Sequence, residues 1–209
     1  MKERPILFSA PMVRALLDGT KTQTRRVVKP QPEWDGKWFQ WGGHKPNSKY
    51  GACAGNSLST TFWMLDACPY GKPGDRLWVR ETHFINHYMG AQTPVEDRAD
   101  CQTLYRATDM GCVRNMEDSE GLVWSPSIYM PRWASRITLE VTGVRIERLQ
   151  DISEADAKTE GWPVHMPSDP RGYTSPKQWY AMLWNAINGP ESWALNPWVW
   201  VVEFKVVKP

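Results

Sequence analysis

No apolar run in this 209-residue chain approaches the length of a membrane span. The opening M-K-E-R-P-I-L-F-S-A-P holds too short an apolar stretch for a signal peptide, so a cytoplasmic location with no membrane partner is expected. Cysteine is scarce. Cys53, Cys68, Cys101 and Cys112 are the four, and in that compartment they are expected to be reduced thiols. Their spacings match no zinc knuckle or ribbon. His83 and His87 have the i, i+4 spacing that can chelate a metal on a helix, but nothing nearby supplies a third ligand. No metal and no other cofactor is therefore expected. The sequence has no P-loop, no G-x-G-x-x-G, no H-E-x-x-H and no G-x-S-x-G, and no internal repeat. Charge of either sign is also in short surplus. A formal net charge of +2 means that any attraction for nucleic acid must come from a local patch.

Such a patch is available at the start. The first thirty residues hold seven Lys/Arg against two acids. Tryptophan is plentiful, with thirteen copies. Some of these belong to a core, and the rest suit stacking on flat ligands such as bases. A chain of this length supports a hydrophobic core without disulfides, as one domain spanning residues 1–209 with insertions.

The most informative stretch runs from Leu16 to Arg26, L-L-D-G-T-K-T-Q-T-R-R. It begins as the end of a short amphipathic helix with Met12, Ala15 and Leu16 on its apolar stripe. Gly19 supplies the left-handed position that stops it. Thr22 to Val28 then reads as a strand. Alternation puts Thr22, Thr24 and Arg26 on one face and Gln23 and Arg25 on the other. Lys21 lies in the turn. The positive charge of Arg25 and Arg26 lowers a neighbouring lysine pKa, and burial lowers it further. A partly neutral lysine acts as a general base. The plainer alternative is a solvated basic edge strand.

Residues 29–72 lack a sustained period and are rich in Pro, Gly, Trp and Asn, which marks an irregular insertion with a small hairpin near Asp35-Gly36. Within it, Trp34, Trp38, Phe39 and Trp41 either line a binding surface or pin the loop to the body. A strand follows Pro73-Gly74-Asp75, with Leu77 and Val79 alternating with Trp78 and Arg80. Arg80 and Glu81 are expected either to face the cleft of Lys21 or to form an exposed ion pair. Residues 83–129 form a second irregular insertion. Arg132 and Trp133 precede a long strand, Ile137 to Ile146, that Gly143 breaks as a bulge would. They can hold a base between a cation and a ring, or Trp133 can close the core.

Ser153-Glu-Ala-Asp156 is a variant capping box. Its helix ends at Gly161, which leaves Glu160 at the negative end of the helix dipole. That position raises a carboxyl pKa and suits a proton donor. Ser175-Pro-Lys-Gln178 is a full capping box. It opens a helix whose expected stripe is Trp179, Met182, Leu183, Ala186 and Ile187. The closing strand is W-V-W-V-V-E-F-K-V-V, with Trp198, Trp200, Val202, Phe204 and Val206 expected on its apolar face. Together these elements predict an α+β fold: a small, mostly antiparallel, curved or barrel-like sheet with peripheral helices.

These features resemble the ASCH domain family of the PUA-like superfamily. The family pattern G-x-K-x-x-x-x-R matches Gly19, Lys21 and Arg26. Blocks of its N4-acetylcytidine amidohydrolases are similar to Gly19–Thr24, Gly74–Val79, Thr138–Thr142, Ser153–Glu160 and Val201–Lys205, in the same order. The resemblance covers roughly half the chain. The two insertions and residues 175–197 depart from it and look like those of enlarged, prophage-type members. The resemblance implies a PUA-like curved β-barrel. It also implies amide hydrolysis at an acylated exocyclic amine, with Lys21, Thr24 and Glu160 as the catalytic set and no metal. Gly19, Arg26, Arg80, Arg132, Trp133 and Trp78 are the expected substrate-binding residues, and a modified nucleoside or RNA is the expected partner. The competing reading is a non-catalytic RNA- or modified-base-binding module, or a nuclease, using the same basic cleft.

Overall fold

The computed structural model describes residues 1–34, 38–40, 53–54, 68–85, 103–109, 123–163 and 175–207. Its centre is a mixed sheet of five strands, ordered β1-β6-β9-β10-β2. These are β1 (Glu3–Leu7), β2 (Gln23–Val27), β6 (Arg76–Arg80), β9 (Thr138–Arg148) and β10 (Trp198–Val207). β1 runs parallel to β6, and the other three pairs are antiparallel. Three helices pack around it: α1 (Ala10–Leu17), α2 (Glu154–Thr159) and α3 (Pro176–Asn188). No helix among the described residues is long and apolar enough to cross a membrane.

The sheet does not close into a hydrogen-bonded barrel, since β1 and β2 remain its two edges among the described residues. It curls enough, however, that one side chain spans them. Arg26 on β2 donates from its guanidinium to the Leu7 carbonyl at the end of β1, at 2.6 Å.

β10 explains why the sheet has a core on each side. Trp198, Trp200, Val202 and Phe204 face one cluster with Ile6, Val13, Leu16, Leu139 and Ile146. Val199 and Val201 face a second cluster with Leu149, Ile152, Ala157, Tyr180 and Trp184. A strand covered on both faces needs a nearly continuous apolar run, which W-V-W-V-V supplies. Val206 departs from the expected face and is exposed, beyond the reach of either cluster. Opposite Glu203 and Phe204 the ladder slips by one residue at Gly143, the bulge that the glycine foretold.

α1 is eight residues long and would be marginal alone. Val13 and Leu16 are fully buried, each worth about 1.5–3 kcal/mol of apolar burial. Asp75 fixes the start of β1 against β6. Its carboxylate accepts from the Lys2 N–H at 2.8 Å and from Arg4 at 3.1 Å.

α3 departs from expectation in part: Trp179 and Leu183 of the expected stripe pack against the second cluster. Tyr180 and Trp184 are its buried residues, whereas Met182 and Ile187 are exposed. The helix carries apolar or aromatic side chains nearly all round, so periodicity alone did not single out the buried stripe. The aromatic i, i+4 pair won because it fills the space over Val199 and Val201.

In the first insertion, β3 (Glu33–Trp34) pairs with β4 (Trp38–Gln40) as the expected hairpin, and β4 pairs with β5 (Cys53–Ala54). The side chains of Trp34, Trp38, Phe39 and Trp41 lie outside the described residues. In the second insertion, β7 (His83–Ile85) pairs with β8 (Thr103–Tyr105). His87, Cys101, Cys112 and the Cys53 side chain are likewise outside the described set. Cys68 is a buried free thiol.

Candidate functional site

The turn at Gly19 builds the site. Gly19 has φ +71°, the left-handed conformation that glycine adopts without strain. The chain doubles back there, and the Thr20 and Lys21 N–H groups both donate to the Ala15 carbonyl. That fold-back directs Lys21 inward against the end of α2. Gly19 itself is exposed, so its contribution is conformational.

The end of α2 leaves carbonyls without helical partners. Residues 21 and 22 satisfy two of them: the Thr22 N–H donates to Thr159 O and the Lys21 amine to Glu160 O at 3.0 Å. The Gln23 side chain adds a further donor, at 2.8 Å, to Asp156 O, which already accepts from the Glu160 N–H. A cation at a helix C-terminus is also favoured by the dipole. Lys21 and Glu160 form an isolated antiparallel bridge, so their side chains start as neighbours.

The amine of Lys21 reaches the Glu160 carboxylate at 2.7 Å, and both side chains are essentially inaccessible to solvent. Burial pushes the Lys21 pKa below its ordinary value. Glu160 opposes that shift, while the charges of Arg26 and Arg25 add to it. The direction is the one expected from the sequence, but burial contributes more than the two arginines.

The other Glu160 oxygen accepts from Arg25 at 3.1 Å. Arg25 also binds Glu147 through two nitrogens, at 2.9 and 2.6 Å, and Asp156 at 3.3 Å. Burial opposes the arginine charge, but Glu160 and Glu147 outweigh it and raise its pKa. Arg145 continues the network to Glu147, Asp156 and Glu203. Glu160 is therefore held at the expected helix end as the acceptor of two cations.

Thr24 lies on β2 opposite Val202 and is 3% exposed. It opens onto a cavity of about 60 Å3, lined also by Met12, Arg26, Glu160, Tyr180 and Leu183 among others. No side-chain hydrogen bond engages the Thr24 hydroxyl among the described residues. The cavity lies where β2 is a free sheet edge, between α1 and α3. Val28 N–H and Thr22 C=O point to β10. By alternation, the N–H groups of Arg25 and Val27 point to the free edge.

Arg26 sits beside this cavity. Its guanidinium and the Lys21 amine both lie over the Phe8 ring, at 5.3 and 5.7 Å. Its Nε is buried without an acceptor.

Tyr180 completes the wall and was missed in the sequence. Its phenol is buried beside Glu160 and Arg25. Burial raises its pKa well above the ordinary value, and the Glu160 charge adds to that. Glu147 and Asp156 were missed too, because no local pattern ties them to Arg25.

The other expected binding residues form a separate group. Arg80 and Arg132 both lie over Trp78, at 5.1 and 5.9 Å. Arg132 pairs with Glu3 at 3.1 Å, and Arg80 donates to Met130 O. Trp133 is 39% exposed in a short 3-10 turn. None of these four lines the cavity of Thr24. Glu81 is buried and binds Arg136 through both oxygens, rather than forming an exposed pair with Arg80.

No protein-family model, no curated protein and no solved structure matches this chain.

Proposed function

We propose that the chain is a hydrolase that removes a small acyl group from the exocyclic amine of a modified nucleoside, of the N4-acetylcytidine type. One observation carries the reading: a solvent-free Lys21–Glu160 pair next to a cavity that Thr24 and Glu160 both line. A buried lysine with a lowered pKa is suited to take a proton. Thr24 attacks the acyl carbon, and its proton passes to Lys21. The C–N bond breaks as Lys21 returns that proton to the departing amine. Water then hydrolyses the acyl-threonine and releases the free acid. Glu160 holds the Lys21 amine, and Arg25 and Tyr180 hold Glu160. The edge N–H groups of Arg25 and Val27 are donors for the developing oxyanion. In an equally allowed variant, Glu160 activates water directly and Thr24 only orients the acyl group.

The cavity size supports a small acyl group. About 60 Å3 accommodates an acetyl group. The resemblance to ASCH amidohydrolases, and with it a PUA-like barrel, is consistent with the curled sheet and with the placement of Lys21, Thr24 and Glu160.

The test is release of cytidine from N4-acetylcytidine by the purified protein, followed by HPLC beside Lys21→Ala. Turnover lost in the variant supports the reading. A folded wild type without turnover overturns it.

A second reading, nucleic-acid binding without catalysis, is favoured by the Arg80–Trp78–Arg132 stack. It requires RNA affinity that falls steeply with salt and weakens in Trp78→Ala.

A further inference from the structure

Arg26 stands between two cavities. Beyond the small one lies a larger space of about 450 Å3 whose walls include Arg26, Lys29, Tyr70, Asn188 and Trp200. Arg26, Val27 and Asn188 line both cavities. The larger volume is within the range of pockets that hold small organic ligands.

Two of its wall residues, Arg26 and Lys29, are cations. Lys21, Arg25, Arg136 and Arg145 each bind a carboxylate. Among the described residues, Arg26 and Lys29 have no carboxylate partner and the Arg26 Nε has no acceptor. Two uncompensated cations on one wall are suited to an anion. The phenol ring of Tyr70, half-buried in the same wall, offers flat surface to a ring. Burial raises the Tyr70 pKa while the nearby Arg26 charge opposes it, which places the guanidinium within electrostatic reach of that ring. Asn188 donates its amide N–H to Trp184 O at 3.1 Å, which fixes the side chain at the junction.

With the acyl group at Thr24 in the small cavity, the adjoining space is where the base that carries it can lie, beside Arg26 and Lys29. We propose that the larger cavity is a mononucleotide site. It takes a pyrimidine nucleoside 5′-monophosphate, with the ring against Tyr70, the acylated amine directed past Val27 and Asn188 to Thr24, and the phosphate between Arg26 and Lys29. The orientation rests on the hydrolase reading; the affinity for a phosphorylated nucleoside does not.

The test is equilibrium binding of cytidine 5′-monophosphate and of cytidine to the full chain, by calorimetry at low and high salt. The protein is compared with Lys29→Ala, an exposed position whose change leaves the core intact. The monophosphate should bind at least about tenfold more tightly than cytidine, as one charge-assisted contact implies. That advantage should shrink with salt and weaken severalfold in Lys29→Ala, where Arg26 alone remains. Equal affinity for the two ligands, or an advantage unchanged in Lys29→Ala, overturns the site. So does binding of a cytidine-containing trinucleotide without binding of the mononucleotide. Neither ligand carries an acyl group, so the two proposals fail separately. Phosphate-dependent binding without turnover of the acetylated ligand overturns the hydrolase reading alone. Turnover of N4-acetylcytidine with no gain from a 5′-phosphate overturns this site alone.

Discussion

Lys21→Met removes the buried amine and keeps the length of the side chain. In the wild type that amine makes two bonds, at 2.7 Å to the Glu160 carboxylate and 3.0 Å to the Glu160 carbonyl. After substitution the carboxylate retains the Arg25 contact at 3.1 Å. Removing one partner of a buried pair costs about 3–5 kcal/mol, because a charge is left uncompensated. Arg25 remains, so the lower end applies, about 3 kcal/mol. In a chain of this size each kcal/mol moves Tm by about 2–4 °C, giving a fall of about 6–12 °C. Glu160→Gln should cost a similar amount, since it strands the ammonium. The double variant strands neither group, and Arg25 still has Glu147 and Asp156. The two losses should therefore fail to add by about 1–3 kcal/mol. Urea unfolding of the wild type, both single variants and the double variant closes the cycle. Additive losses, or a Lys21→Met midpoint equal to the wild type, would refute the coupled buried pair.

Three further expectations follow from the same geometry. Gly161 has φ +104°, and a Cβ there would lie 3.0 Å from the Ala15 Cβ, so Gly161→Ala should destabilise by about 1–3 kcal/mol in thermal unfolding; unchanged stability would show that α2 does not lock onto the Lys21 turn. Burial holds Lys21 below its ordinary value of 10.5, so the unfolded chain binds that proton more tightly between the two values. Raising pH through that window should add stability, and kcat/KM should rise with a midpoint below 10.5; both trends should be absent in Lys21→Met. Leu183 walls the small cavity, so Leu183→Ala should improve kcat/KM for an N4-butyryl substrate relative to the acetyl one by about tenfold or more in a competition assay.

The parts of this site that were readable in the sequence are those fixed locally. The Gly19 cap, the alternation from Thr22 to Arg26 and the Ser153 cap each depend on a few adjacent residues. Together they put Lys21 in the turn before β2, Thr24 on β2 and Glu160 at the end of α2. What surrounds them is set by distant pairing. Arg25 meets Glu147 and Asp156 across 122 and 131 residues of chain, and charge alone gives no address for such partners. Tyr180 was hidden for another reason. It lies on a helix whose apolar residues encircle the axis, and only the shape of the space over β10 decides which face turns inward. Arg80, Arg132 and Trp78 were read as part of the same cleft because their residue types suit it. β6 instead carries Trp78 and Arg80, with Arg132 joining them, away from the Thr24 cavity.

The proposed function places acyl transfer on Thr24, beside a buried Lys21–Glu160 pair. Thr24→Val keeps the β-branched shape in β2 and leaves the ion pair untouched, so its fold should be preserved. The decisive measurement is turnover of N4-acetylcytidine by wild type and Thr24→Val at matched folded concentration. Measurable wild-type release of cytidine is expected, falling by about 100-fold or more when the hydroxyl is removed. Equal rates in the two proteins would rule out Thr24 as the nucleophile.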